Sequence, residues 1–411
     1  MNKSAQIRIA SLAVLCLAFA GCGEPSYLGK STTSTTTGTN YLTNAESTHK
    51  YITTTLLTTY GSYRIEPGSN TSYAWYNGSQ IDADAAMYTA AADPSYATYM
   101  TATYTWMGNL WDTGSASGGY YAAANVDASS PGGGQYVDDN ALLGNAYLDA
   151  YAVSTDTNTQ NNYLWSAESI ANFLMTSGAW DGTYGGGFWW NTDHTLKPTQ
   201  SNGLAMQLFL RLYKITGQTY YQSWAGSIDA WLEANMYDSA TGLYDWEIQN
   251  TGTAAAPSAG TLQTTHFTYD NAIMIEAFLL DYQINGNAAS LTKAQALGTA
   301  LNKALYIPQT GVYQFNTNDA RVNPTWSGWG SQAMIRLYEA DKNASWLKYA
   351  KGNIDFINTY MLNPNTGAYY QYCSVDGTGV NSDIEAVDQA WMQRLQALYS
   401  PYSSVSTSSG N

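Results

Sequence analysis

The segment Leu204-Ala205-Met206-Gln207-Leu208-Phe209-Leu210-Arg211-Leu212-Tyr213 sets the fold class. Leu204, Leu208 and Leu212 recur every fourth residue, which places them on one face of an α-helix. Its closing phrase Leu210-Arg211-Leu212-Tyr213 is echoed by Leu148-Asp149-Ala150-Tyr151, Leu280-Asp281-Tyr282 and Arg336-Leu337-Tyr338, each at the end of an apolar stretch. Short polar turns follow, as at Thr216-Gly217-Gln218, Asn285-Gly286-Asn287 and Asp341-Lys342-Asn343. A second helical pattern then opens, as in Tyr221, Trp224, Ala225, Ile228, Trp231 and Leu232. It returns at 346–357 and more weakly at 291–305. The echoes lie roughly 60 residues apart, room for two helices and two connections in each unit. Strand-like alternation is rare. About six such units fill the chain, and six helical hairpins are what closes into an (α/α)6 toroid, so an all-α toroid is expected.

The remaining connections are long and rich in glycine and aromatics: 118–139, 180–201, 244–270 and 315–328. Long irregular loops on a regular scaffold tend to carry function. If outer and inner helices alternate, all of them open at one end of the ring, around the starts of the inner helices.

One inner helix is expected to begin at Tyr136-Val137-Asp138-Asp139-Asn140, directly after the Gly132-Gly133-Gly134 run. Two acids at a helix start have an ordinary role, since they satisfy free N–H groups at the positive end of the dipole. Here the pair falls at the mouth of the ring. Adjacent carboxylates also suit glycoside hydrolysis with retention, which uses a nucleophile and an acid about 5–5.5 Å apart. Mutual repulsion splits their titration, so one stays protonated while the other ionises.

Composition narrows the partners. The 411-residue chain has 16 Lys and Arg against 31 Asp and Glu, a net charge of −15. Nucleic acid and anionic lipid surfaces are therefore poor partners. Its 35 tyrosines and 14 tryptophans exceed what a core of this size needs. Aromatic faces stacked on sugar rings, with amides bonding the hydroxyls, would use that excess. No His/Cys cluster or dense carboxylate loop indicates a metal, and no cofactor is expected.

The ends read as export and tethering. Lys3 and Arg8 precede an apolar stretch at 9–20, too short for a stable span. It closes with Phe19-Ala20-Gly21-Cys22, which resembles a bacterial lipobox except for phenylalanine in place of the usual leucine. An ordinary signal peptide cut near Ala20 is the alternative; the position of Cys22 directly after the apolar run favours a lipoprotein, membrane-anchored through Cys22. Residues 30–40 are almost entirely Ser, Thr and Gly, a flexible spacer by composition. The expected layout is a signal at 1–21, a tether at 22–44, the catalytic toroid at 45–400 and a tail at 401–411. With Cys16 in the signal and Cys22 acylated, Cys373 is left alone, so stability comes from a core rather than disulfides.

Three segments in order resemble glycoside hydrolase family 76, the endo-α-1,6-mannanases. They are Tyr136-Val137-Asp138-Asp139-Asn140, Gly185-Gly186-Gly187-Phe188-Trp189-Trp190-Asn191 with Lys197 and Ser201-Asn202-Gly203-Leu204, and Phe267-Thr268-Tyr269-Asp270-Asn271. The family more often reads Tyr-Asn-Gln in the third. The likeness runs over roughly 73–399 and implies an (α/α)6 fold, a retaining mechanism and cleavage within α-1,6-linked mannan. By the match Asp138 is the nucleophile and Asp139 the acid/base. Trp189, Trp190 and Tyr269 would be sugar platforms, with one of the two tryptophans facing the core. Asn191, Asn202 and Asp270 would bind hydroxyls, and Trp75 and Trp326 are weaker candidates.

Two alternatives keep the fold: a degenerate surface lipoprotein that only binds glycan, and a transglycosylase on the same substrate. An epimerase or isomerase would work with histidines, and His49, His194 and His266 include no pair spaced for that on one helix. The sequence carries no signal of oligomeric state.

Overall fold

A computed structural model describes residues 40–258 and 260–407. The expected signal, Cys22 and most of the tether lie outside the described residues. Twelve α-helices run through them: α1 (Tyr41–Tyr51), α2 (Ala74–Ala90), α3 (Tyr96–Met107), α4 (Val137–Val153), α5 (Thr157–Thr176), α6 (Thr199–Thr216), α7 (Thr219–Asn235), α8 (Thr268–Asn285), α9 (Ala288–Leu305), α10 (Pro324–Asp341), α11 (Ser345–Tyr360) and α12 (Ala386–Tyr399).

The even helices pack side by side in the order α2, α4, α6, α8, α10, α12, and α12 returns to α2. That closes an inner ring. Each inner helix is backed by the outer helix that follows it, and α12 is backed by α1, so the first and last helices together make the sixth hairpin. The expected (α/α)6 toroid is the observed fold. Sequence pattern separates the layers. Every residue of α12 is buried, as an inner helix enclosed on all sides must be. In α11 the buried set Trp346, Leu347, Ala350, Asn353, Ile354, Phe356 and Ile357 keeps to one side, as in an outer helix. The polar turns seen in sequence end inner helices in left-handed caps at Gly217, Gly286 and Lys342.

The domain limits need correction at both ends. The fold starts at Tyr41 rather than 45, because Tyr41 is buried against Tyr399 and donates to Asp355 at 2.7 Å. It runs past 400, because Tyr402 packs on Tyr338 and donates to Glu339 at 2.9 Å.

The echoed phrase turns out to close the far end of the ring. Asp149 and Arg211, both from it, form an ion pair. Arg394 of α12 reaches Asp82 of α2 at 2.8 Å and Asp149 at 3.6 Å. The axis is thus plugged by paired charges at the end away from the long loops.

At the loop end, one device recurs. Each inner helix is entered from an extended residue: Tyr73, Tyr136, Pro198, Phe267, Asn323 and Glu385. Four residues on, a buried amide grips an aromatic residue of the preceding loop by its backbone. Asn140 accepts from the N–H of Tyr120 (2.7 Å) and donates to its carbonyl (3.1 Å). Asn202 does the same to Phe188 (2.7 and 3.2 Å), Asn271 to Tyr244 (2.8 and 3.3 Å) and Gln389 to Tyr369 (2.6 and 2.8 Å). Asn77 accepts from Tyr63 N–H at 3.0 Å and reaches its carbonyl through the Ser72 hydroxyl. In α10 the position is Ser327, and Asn353 of α11 supplies the amide, accepting from Tyr313 N–H at 3.0 Å. Each amide behaves as one residue of a sheet ladder inserted between helix and loop. The loops themselves add short antiparallel pairs, such as Thr71–Tyr73 with Ala123–Asn125 and Leu196–Pro198 with Glu247–Gln249.

Removing one such amide leaves a buried N–H and a buried C=O without partners. Asn271→Ala is expected to destabilise the fold by about 2–4 kcal/mol, read as a lower denaturant midpoint at unchanged slope; a loss under about 0.5 kcal/mol, the range of ordinary surface changes, would mean the amide is not a structural tie.

Candidate active site

The starts of the inner helices surround a cleft of about 430 Å³ at the loop end of the ring. Its lining draws Trp75 and Tyr76 from α2, Asp138 and Asp139 from α4, Gln200 from α6, Tyr269 from α8, Trp326 from α10 and Val387 from α12. All of these stand one or two positions before the amide position of their helix. The six-fold repeat of the backbone therefore points side chains from all six helix starts at one spot, two each from α2 and α4 and one each from the other four, and α4 contributes the two acids. Loop residues Trp190, Leu196, Pro198, Trp246, Glu247 and Glu385 complete the wall.

Asp138 is buried. Its Oδ2 accepts from the Trp190 indole N–H at 3.1 Å and its Oδ1 from the Asp139 backbone N–H at 3.1 Å. Burial pushes its carboxyl up to about 6, although both hydrogen bonds favour the charged form. Asp139 is partly exposed and is raised well above the ordinary carboxylate range, by desolvation and by the charge of Asp138. No hydrogen bond to its side chain offsets that shift. The pair thus combines one anchored, hydrogen-bonded carboxyl with one that desolvation and its neighbour's charge bias toward the protonated form. That is the combination acid-assisted nucleophilic displacement requires.

Trp190 reaches Asp138 because its loop is tied to the helix start. Val137 N–H donates to the Trp190 carbonyl at 2.8 Å, and Tyr136 pairs with Asn191. The indole also packs on Tyr136, ring centres 4.5 Å apart. The glycines before it carry positive φ, and a Cβ on Gly187 would stand 2.4 Å from the Trp231 ring. Only glycine lets this loop lie against that indole.

The structure divides the other sequence candidates. Trp190 and Tyr269 line the cleft, as do Trp75 and Trp326, whose rings stand 6.1 Å apart. Tyr269 packs on Trp326 at 4.9 Å, which makes a continuous aromatic wall. Trp189 is not a platform. It is fully buried, donates to Asp181 at 2.7 Å and lies beneath the Lys197 ammonium, itself buried and bonded to Asp181. Of the two tryptophans, it is the one facing the core. Asn202 is likewise unavailable to sugar, since both ends of its amide serve the Phe188 backbone. Asn191 is 9% exposed with its oxygen accepting from Thr195, and it does not join the cleft lining. Asp270 is wholly buried and does not join the cleft lining; burial and the nearby Glu247 raise its carboxyl well above the usual range.

Sequence reasoning missed Glu247, Glu385, Gln200, Tyr76 and Trp246. Glu247 is buried and raised by desolvation. Glu385 accepts from the Tyr76 hydroxyl at 3.0 Å. A signal was available for part of this set. Aligning the six helix starts on their amide position marks Tyr76, Gln200 and Val387 together with the aspartates. Glu247 sits in a loop strand and carried no comparable mark. No histidine lines the cleft.

The chain matches the model of glycosyl hydrolase family 76 over residues 31–319. No curated protein matches its sequence. Among solved structures, a GH76 alpha-mannanase from Bacteroides thetaiotaomicron superposes with a TM-score of 0.75 at 19% identity, over 88% of this chain and 96% of the other. An inactive alpha-1,6-mannanase variant from Salegentibacter sp., with two neighbouring aspartates replaced by asparagine and alpha-1,6-mannotriose bound, gives 0.71 at 19% identity over 88% and 99%. A D-mannose isomerase gives 0.68 at 14% identity over 89% and 98%, so the toroid by itself does not choose between hydrolysis and isomerisation.

The Trp190 hydrogen bond yields a direct test. Trp190→Phe keeps an aromatic ring but removes the N–H that favours the ionised form. The Asp138 carboxyl, now about 6, is expected to rise by about one unit, followed by carbon NMR of the labelled side chain. An unchanged or lower value would contradict the assignment of that hydrogen bond.

Proposed function

The chain belongs to glycosyl hydrolase family 76, and from that membership and the geometry of the cleft we propose that it is a retaining endo-α-1,6-mannanase. The observation that carries the reading is the pairing in the cleft of a hydrogen-bonded, buried Asp138 with an adjacent Asp139 that desolvation and the Asp138 charge push toward its protonated form. Asp138 attacks the anomeric carbon of a bound mannose while Asp139 gives its proton to the departing glycosidic oxygen. This leaves a mannosyl ester on Asp138 and an ionised Asp139. Asp139 then takes a proton from water, the water oxygen displaces Asp138 from the same carbon, and two inversions restore the starting configuration.

The mannose chain lies along the aromatic wall of Trp75, Trp326, Tyr269, Trp246 and Trp190, with Gln200, Glu247 and Glu385 accepting from its hydroxyls. A wall built from all six helix starts holds sugars on both sides of the scissile bond, which supports cleavage within a chain. The solved relative with two neighbouring aspartates replaced and alpha-1,6-mannotriose bound supports both the substrate and the pair's role. A histidine-free cleft supports hydrolysis over isomerisation.

Asp138→Asn and Asp139→Asn are each expected to lower turnover of linear α-1,6-mannan by about 10²–10⁴-fold with folding intact. The parent should release products first in the α configuration by proton NMR. Its rate should rise with pH through about 6 as Asp138 ionises and fall again as Asp139 loses its proton. β-configured first products, or near-parental turnover in either variant, would refute the assignment. We also propose export as a lipoprotein acylated at Cys22. Labelled palmitate should enter the expressed full-length chain and fail to enter Cys22→Ser; equal labelling of both would rule this out.

A further inference from the structure

A second aromatic groove lies on the outer wall of the ring, between α5 and the loop that follows α3. Trp165 is 65% exposed, the most exposed large apolar side chain among the described residues. With Glu168, Ser169 and Asn172 it occupies one outward face of α5, at helical spacing. The opposite wall is Trp111, and the space between is about 450 Å³.

Trp111 is held in place. Its ring packs on Tyr120, centres 4.9 Å apart, and Gly118 lies directly against it. A Cβ on Gly118, at φ +72°, would stand 2.1 Å from the indole. The loop between them is ordered by Asp112, which accepts from the Gly114 N–H at 2.9 Å. The groove is therefore preformed, with one fixed and one solvent-facing indole. Among the described residues its lining holds no lysine or arginine, while Asp112 and Glu168 add two acids to a chain of net charge −15. An anionic ligand is repelled. A neutral polymer with apolar ring faces and many hydroxyls meets two indoles, carboxylate acceptors and the Asn172 amide.

We propose that this groove is a second, non-catalytic binding site for the neutral polysaccharide that the enzyme cleaves. Its ligand class rests on the reading of the cleft as that of a mannanase. The connection between α3 and α4 supports the coupling: it carries Trp111 at one end and leads into Asp138 at the other. Gln135 ties its two parts by donating to the carbonyls of Gly118 (3.2 Å) and Gly119 (3.1 Å). A chain held on the outer wall stays beside the mouth of the cleft, which raises its local concentration there.

The test is affinity electrophoresis in gels containing linear α-1,6-mannan. The protein carries Asp138→Asn and Asp139→Asn so that the polymer survives, and mannotetraose saturates the cleft. Trp165→Ala in this background is expected to weaken retention about ten-fold, the order of one lost stacking platform, and Trp165→Phe to recover part of it. In the active enzyme Trp165→Ala should cleave mannotetraose at the parental rate. Equal retention with and without Trp165, or no retention once the cleft is saturated, overturns the second site. Failure of the parent to cleave mannotetraose would instead refute the mannanase reading, and the retention measurement reports on the groove independently of it.

Discussion

The side-chain amide that joins each inner helix to its preceding loop is the interaction on which the rest depends. An (α/α)6 ring positions its helices by packing, but packing alone leaves the loops at its mouth free to take many paths. Asn77, Asn140, Asn202, Asn271, Asn353 and Gln389 remove that freedom by binding the backbone of Tyr63, Tyr120, Phe188, Tyr244, Tyr313 and Tyr369. Each amide is buried, so a missing partner would cost more than the bond contributes when made. The aromatic side chains of the gripped residues are buried too, so the tie also anchors the loop in the core. Because the amide position is four residues past the helix entry, one or both of the two residues before it line the cleft. Scaffold and site are thus the same repeat.

Within that frame the two aspartates of α4 are pulled both ways. A helix start and two N–H donors favour ionised Asp138 by about 2–4 kcal/mol in total. Desolvation opposes them and wins, since the carboxyl still rises to about 6. Asp139 lacks the donors and has the Asp138 charge beside it, so it rises further. Neighbours in sequence thus sit in different environments, one with the Trp190 indole N–H and a backbone N–H on its carboxyl and one without. That explains why the Gly185-Gly186-Gly187 loop, the Lys197–Asp181 pair and the buried Trp189 are built so rigidly some distance from the carboxyls. They fix Trp190.

Much of this was legible beforehand. The every-fourth leucines of α6 and the echoed Leu-x-x-Tyr phrase identified the helices, and the roughly 60-residue spacing identified six hairpins. What that phrase does was hidden. Asp149 and Arg211 stand in two copies of it, 62 positions apart, and only the folded ring shows them paired between the neighbouring helices α4 and α6. The acid pair drew attention because it follows a glycine run at a helix start and sits in a segment that resembles the family's, and the structure brings both residues to the cleft. Asn202 and Asp270 were misplaced, because a buried amide and a surface amide look alike in one sequence. Trp189 and Trp190 differ only in which way the loop turns each indole, and alternation allowed one of each without saying which. Glu247 and Glu385 are single acids in loops, and only tertiary contact marks them. The fold's two ends were off by a few residues, since Tyr41 and Tyr402 join through partners more than sixty positions away.

The central claim is that Asp138 forms a covalent bond to the sugar in a site whose geometry the ring imposes. The most direct measurement is to treat the enzyme with an activated mannosyl fluoride whose additional ring fluorine slows the second displacement, then locate the adduct by peptide mass spectrometry. The account predicts one mannosyl group on the peptide bearing Asp138, attached to that residue and discharged by water. A label on Asp139 would reverse the two roles. No label on an enzyme that still turns the reagent over would contradict covalent catalysis altogether.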